Sequence, residues 1–108
     1  MKNVNNVQLI GRLGKDPVIK KLKENKTLAK FTLATTEVFT TKNGEKKFLT
    51  QWHHVTAWGR TAFLVERFLQ KGKLIALEGR VVNRSWSDKK GKTHYITEIV
   101  ANDLVMVN

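Results

Sequence analysis

Apolar and polar residues alternate along the first part of the chain, and this two-residue period is typical of strands that bury one face. Val7, Leu9 and Leu13 share one side of the alternation, with polar residues at positions 6, 8 and 12. We therefore predict a first strand here. Gly11 and Gly14 indicate a bend or bulge where this strand turns.

The next segments predict two further strands separated by loops. Pro17 interrupts the alternation, and the lysine-rich segment that follows the apolar pair 18–19 is typical of an exposed, mobile loop. The predicted elements are this loop over residues 20–26, a second strand from Leu28 to Phe39, a loop with an Asn-Gly turn signal over 40–47, and a third strand over 51–58.

A helical period replaces the alternation after Gly59. Four apolar residues fall on one helical stripe: Leu64, Val65, Phe68 and Leu69. Thr61 is the predicted N-cap and Gly72 the predicted C-terminal stop. This is the one helix that the pattern predicts.

Two more strands complete the predicted order. The fourth runs from Leu74 to Trp86, a turn around Gly91 follows, and the fifth runs from Thr93 to about Val107. Three strands, one helix and two strands are the order of an all-β, five-stranded OB-fold barrel, which binds oligonucleotides across one face. The 108 residues are enough for one such domain and too few for two.

The phase of the strands places aromatic and cationic side chains together. In the segment QWHHVTAWGR, Trp52, His54 and Trp58 fall on one face, and His53 falls on the other with Val55. On the fourth strand the apolar face carries Ile75, Leu77 and Val81, whereas the opposite face carries Arg80, Arg84 and Trp86. Rings interleaved with cations are what a protein that binds single-stranded nucleic acid needs, because bases stack on the rings while cations follow the phosphates.

Charge indicates a polyanionic partner, nucleic acid or an acidic membrane, without naming which. The chain has 20 Lys+Arg against 9 Asp+Glu, a formal net charge of +11. A surface of this charge favours a polyanion over a neutral partner, although basic surfaces also serve solubility. The absence of cysteine excludes disulfides and thiolate metal sites.

Each candidate also has a structural explanation. A tryptophan in a small β protein is more often a core residue than a stacking platform. His53 and His54 face opposite ways and no carboxylate pair accompanies them, so we reject a metal site. The lysines of the two long turns either contact DNA or are simply solvated: Lys42, Lys46, Lys47, Lys89 and Lys90.

The order and spacing of five segments resemble those of the bacterial single-stranded DNA-binding proteins. The segments are VNNVQLIGRLGKDP, LAKFTLATTEVF, QWHHVTAWGR, LQKGKLIALEGR and the C-terminal run from NRSWSD to TEIVA. They cover nearly the whole chain, and as a set they are highly specific.

The resemblance implies roles for individual residues. In that family bases stack on four aromatic rings, whose matching positions are Phe39, Trp52, Trp58 and Trp86. The first and third of these differ in ring type from familiar members. His54 occupies a position that is usually basic, and His53 matches a histidine at a subunit contact.

The resemblance also implies a biological setting. It implies a homotetramer that binds and protects single-stranded DNA in replication, recombination and repair, independently of sequence. No cofactor is expected. Because the start of the chain alternates polar and apolar residues and shows no charged tip followed by an apolar run, a cytoplasmic, nucleoid-associated protein is expected. Family members usually continue into a linker and an acidic tail that recruits replication and repair proteins, whereas this chain stops at Asn108. The tail is therefore expected to be absent, and partners of that kind are expected only if a longer form has it.

Two alternatives remain open. A nuclease on the same fold would need clustered carboxylates for a metal ion, but the acidic residues are dispersed along the chain. An accessory OB protein of the primosome type would lack a tail, bind single strands as a dimer and mainly recruit partners.

Overall fold

The computed structural model describes residues 4–107, which form six strands, one α-helix and one 3-10 turn. In chain order the elements are β1 (Val7–Leu13), β2 (Val18–Lys21), the 3-10 turn (Lys23–Asn25), β3 (Thr27–Thr40), β4 (Lys46–Trp58), α1 (Gly59–Phe68), β5 (Leu74–Ser87) and β6 (Thr93–Met106).

The strands close into a mixed barrel. The sheet order is β1-β5-β6-β4-β3-β2, and β1 also pairs with β3. Only β4 and β6 run parallel, through Val55 opposite Ile99 and Thr56 opposite Val100. The five long strands, with the helix between the third and fourth of them, confirm the predicted OB barrel.

The predicted loop over residues 20–26 is exposed but starts too early, because residues 20 and 21 belong to a strand. Val18–Lys21 is a short strand paired with β3, and Ile19 packs against the core opposite Ala29. The following 3-10 turn contains Glu24 and Asn25 with positive φ. Four residues are too few to display a period, which is why the alternation did not reveal β2.

The core fills the barrel with the apolar phase of the strands. Leu33, Val55, Val65 and Ile75 are fully buried. The helix α1 covers one end of this core, contacting β3, β4 and β6. With ten residues α1 is too short to cross a membrane, and no other helix within residues 4–107 is long and apolar enough to do so.

Both predicted helix boundaries are wrong. Gly59, with φ +59°, turns the chain directly from β4 into α1, so Trp58 is the N-cap and Thr61 lies inside the helix. The Thr61 hydroxyl donates instead to the Asn102 carbonyl at 3.5 Å. The helix ends at Phe68, four residues before Gly72, whose amide donates to the Leu13 carbonyl.

Two residues predicted in the core are exposed. Phe68 is assigned to the helical stripe, but it lies at the last turn of α1 beside the Arg67 guanidinium. Val81 has the core phase on β5, but the pairing of β5 with β1 stops at Gly79, so β1 no longer covers it.

The β3–β4 hairpin extends beyond the barrel. Residues 46 and 47, predicted to lie in a loop, belong to β4, and the turn spans only residues 41–45. From Thr36 onward β3 is exposed on both faces, as is β4 up to Trp52. We call this exposed part of the hairpin the arm; its alternation is obscured because neither face is apolar throughout.

Candidate nucleic-acid interface

The register of β3 and β4 brings two of the tryptophans onto one face of the sheet. Trp52 lies opposite Ala34, His54 opposite Thr32 and Trp58 opposite Leu28. Val55 and Ala57, which alternate with them, are buried. The indoles therefore stand outside the barrel, on the side that does not form the core.

The third tryptophan joins this face through β5 and β6. Arg80, Arg84 and Trp86 have one phase on β5, with Trp86 opposite His94 on β6. We call this combined outer surface of β3, β4, β5 and β6 the aromatic face. Relative exposures of 59% for Trp52, 44% for Trp58 and 55% for Trp86 exclude a fully buried position for each indole.

Trp86 is held by a side-chain array that the sequence analysis missed. Its ring stacks on His94, with centroids 4.4 Å apart and planes inclined by 20°. The His94 Nε2 lies 2.8 Å from Asp88 Oδ2, and the other Asp88 oxygen accepts the backbone N–H groups of Lys90 and Lys92. One face of the indole is thus covered by the imidazole, which leaves the other for a ligand.

The same hydrogen bonds set the protonation of Asp88. The side-chain bond with His94, followed by the backbone N–H of Lys92, lowers the pKa of this carboxyl below its ordinary 3.8. The imidazole and the backbone N–H groups donate to the carboxylate, and this stabilises its charged form. The turn that carries Lys89 and Lys90 is therefore organised around a carboxylate that stays ionised at neutral pH.

Arg84 is fixed by a buried partner. Its Nε lies 2.8 Å from Glu98 Oε1, and the Glu98 side chain is almost wholly buried, whereas half of Arg84 is exposed. A buried carboxylate requires such a partner, and the pair holds the guanidinium against the sheet. Arg80, two rows away on the same face, is exposed, and no ion pair is found for it within residues 4–107.

His53 and His54 point to opposite sides of β4. His54 lies on the aromatic face and lines a groove of about 250 Å³ with Lys30 and Glu98. His53 has the inward phase, is half-buried, and its Nε2 lies 2.8 Å from the Thr35 hydroxyl. The two imidazoles cannot serve one ligand together.

The arm distributes its candidates over both of its faces. Phe39 lies opposite Lys47, and this pair is one residue out of phase with Trp52. Phe39 and Lys47 therefore lie on the side of the arm opposite to that of Trp52. Lys46 and Phe48 have the phase of Trp52, and Phe48 is strongly exposed. Lys42 lies in the turn at the tip.

Phe48 and His94 are the residues that sequence reasoning missed. Phe48 would have been found by extending the third strand back to Lys46, which puts it in phase with Trp52. His94 was missed because the predicted strand ends would pair Trp86 with Thr93, whereas β5 continues to Ser87 and the register is one residue different, with Trp86 opposite His94. Together the residues of the face offer flat rings and cations side by side, which suits stacked bases and phosphates.

Comparisons with known proteins agree on one family. A sequence profile described as the Single-strand binding protein family matches residues 4–107. The chain is 40% identical over 107 residues to single-stranded DNA-binding protein 1 of Chlorobaculum tepidum, covering 98% of this chain and 66% of that protein. It is 39% identical over 108 residues to the Xylella fastidiosa protein of the same name, covering 99% and 79%.

Solved structures show the same similarity. The Plasmodium falciparum SSB in complex with ssDNA superimposes with a TM-score of 0.90 at 32% identity, covering 100% of this chain and 98% of that one. A deletion mutant of the single-stranded DNA-binding protein from Thermus aquaticus gives 0.84 at 28% identity, covering 97% and 51%. The chain spans just under two thirds of the Chlorobaculum relative and 60% of that from Neisseria meningitidis.

Proposed function

The chain belongs to the single-strand binding protein family, and from that premise we propose that it binds single-stranded DNA without sequence preference. Bases stack on the exposed rings, and Lys and Arg contact the phosphates. The observation that carries this proposal is the register that places Trp52 and Trp86 outside the core on one cationic face. Stacking tolerates any base because each has a π face, and duplex DNA hides those faces.

We propose the following roles for residues of the aromatic face, of the arm and of the β5–β6 turn. Base stacking is assigned to the four matching rings, Phe39, Trp52, Trp58 and Trp86, and phosphate contact to His54, Arg80, Arg84, Lys42, Lys46, Lys47, Lys89 and Lys90. The exposure of all four rings supports the first assignment. Phe48 joins them because it shares the phase of Trp52.

The biological role that we propose is protection of single strands during replication, recombination and repair, in the cytoplasm at the nucleoid. Proteins of those pathways are proposed as partners only of a form that carries an acidic tail. We propose no catalytic step: within residues 4–107 no three His, Asp or Glu side chains approach closely enough to hold a metal ion. Incubation with divalent metal should leave the DNA intact, and cleavage would revive the nuclease alternative.

We further propose a homotetramer in which His53 lies at a subunit contact. Two features of the barrel support association. Along one edge, β1 pairs with β3 only at Arg12 and Leu13, so the rest of this edge has no paired strand among residues 4–107. Ile10 and Val105 flank Ala76 in one exposed apolar row across β1, β5 and β6. A native mass equal to a dimer in dilute solution would favour the accessory-protein alternative.

The proposed binding is tested by affinity at several salt concentrations. Oligo-dT and a mixed-sequence strand of equal length should bind about equally, and a blunt duplex far more weakly. The logarithm of the affinity should fall with the logarithm of salt concentration, with a slope of about −0.7 per phosphate contact. Equal binding of duplex and oligo-dT at moderate salt would show that stacking does not drive recognition.

A further inference from the structure

The ring of Trp52 occupies the space beside Gly14, in the turn that follows β1. A Cβ atom built on Gly14 would lie 2.5 Å from Cζ3 and 3.0 Å from Cη2 of the indole, and 3.0 Å from the Thr32 hydroxyl oxygen. Non-bonded carbon atoms reach their optimal separation at about 3.5–4.0 Å. A side chain at position 14 and the indole in its present position therefore exclude each other.

The backbone at Gly14 gives no other reason for glycine. The glycines with positive φ are Gly44, Gly59, Gly72 and Gly91, and Gly14 is not one of them. The Gly14 amide donates to the Thr32 carbonyl at 3.1 Å, a bond that any residue except proline can make. What the fold requires at this position is space for the ring.

We infer that Gly14 is a positioning residue for Trp52: its missing side chain lets the indole lie against the β1–β2 turn in one orientation. This inference rests on the proposed stacking function. A ring already held in place loses less conformational freedom when a base stacks on it, so its orientation contributes to affinity. Gly14 acts through Trp52 and does not itself touch the DNA.

Val65 provides the control for lost stability. Its side chain is fully buried and lies on α1, away from the aromatic face. Val65→Ala therefore removes core packing without disturbing Trp52 or its cross-strand partner Ala34. It should lower the free energy of unfolding while the folded fraction keeps its affinity for oligo-dT.

The main experiment is a double-mutant cycle in the intact chain. Gly14→Ala should weaken oligo-dT binding on the order of 3- to 10-fold, and Trp52→Ala by about 5- to 150-fold. In the Trp52→Ala background, Gly14→Ala should change affinity by less than about twofold, because the ring it displaces is gone. In the Trp52→Phe background it should also be nearly neutral, since the shorter ring lacks the atoms that collide.

A measurement without DNA separates positioning from stability. In a Trp58→Phe/Trp86→Phe background, excited so that tyrosine does not absorb, the tryptophan fluorescence comes from Trp52 alone. Gly14→Ala should then shift its emission and raise its quenching by acrylamide, because the ring can no longer lie against the turn. Val65→Ala should leave both signals unchanged in folded protein, because Val65 lies on α1.

Four outcomes would overturn the inference. Gly14→Ala could weaken binding by the same factor with and without the indole, or leave affinity unchanged although Trp52→Ala weakens it. If Trp52→Ala itself leaves the affinity for oligo-dT unchanged, Trp52 does not stack on a base, and Gly14 then has no positioning role in binding. Should Gly14→Ala alone be too unstable to titrate, the Trp52→Phe background decides: weaker binding by the double variant than by Trp52→Phe would refute the inference.

Discussion

Replacing Trp86 with Ala tests whether an indole of the aromatic face is a platform or a structural residue. The change removes the ring that stacks on His94 at 4.4 Å and leaves the Arg84–Glu98 pair in place. A stacking platform loses DNA affinity when its ring is removed, whereas a core ring loses stability. The two readings therefore predict opposite results.

The structure sets the expected magnitudes. A fully buried tryptophan costs about 3–5 kcal/mol of stability when truncated to Ala. Trp86 is 55% exposed, so its truncation should cost roughly 1–2 kcal/mol of unfolding free energy. The loss of one stacked base should cost about 1–3 kcal/mol of binding, which is roughly a 5- to 150-fold rise in Kd for oligo-dT.

The assay combines urea unfolding with oligo-dT titration of the same protein. Phe63→Ala is the control, because Phe63 is 49% exposed but lies on α1, away from the aromatic face. It should leave the Kd unchanged. Our reasoning would be refuted if Trp86→Ala lost 3 kcal/mol or more of stability while the folded protein bound oligo-dT with normal affinity.

Three further substitutions test other parts of the account. His53→Tyr should weaken the proposed tetramer, because a bulkier ring must fit a half-buried site, and native mass spectrometry at nanomolar concentration should then show smaller species. Arg84→Ala should lower the unfolding free energy more than Arg80→Ala, because it leaves the buried Glu98 carboxylate without its ion-pair partner. Equal losses in urea unfolding would contradict this. Asp88→Asn should remove a pH-dependent contribution. Because the folded pKa of Asp88 is lowered, its stabilisation is present above pH 3.8 and is lost as pH falls through the folded pKa, so unfolding curves of the variant and the parent should converge in acid.

The sequence predicted the barrel because its signals are local. Alternation over long strands and the helical period after Gly59 are read from neighbouring residues. The local pattern could not predict the short strand β2, because this strand depends on its pairing with β3. It could not predict the start of α1 either, because that depends on the positive φ of Gly59. Tertiary contacts, not local preference, fix both.

The aromatic face was predictable to the extent that strand phase determines it. Phase alone put Trp52 and Trp86 on the polar side of their strands. It could not show that Trp86 stacks on His94 or that Trp52 lies over Gly14, since both contacts join segments that the pattern treats separately. Gly14 lies in the bend that follows β1, as the sequence indicated, whereas Gly11 lies within the strand. Pattern alone could not show that another group approaches closely at both positions.

The most direct test of the central claim is the intrinsic fluorescence of the unmodified chain during titration with DNA. All three tryptophans are exposed on the aromatic face, so the signal reports that face. We predict strong quenching on addition of oligo-dT, saturating with binding, and much weaker quenching with a blunt duplex of equal length. Binding of oligo-dT that left the fluorescence unchanged would contradict stacking of bases on these rings.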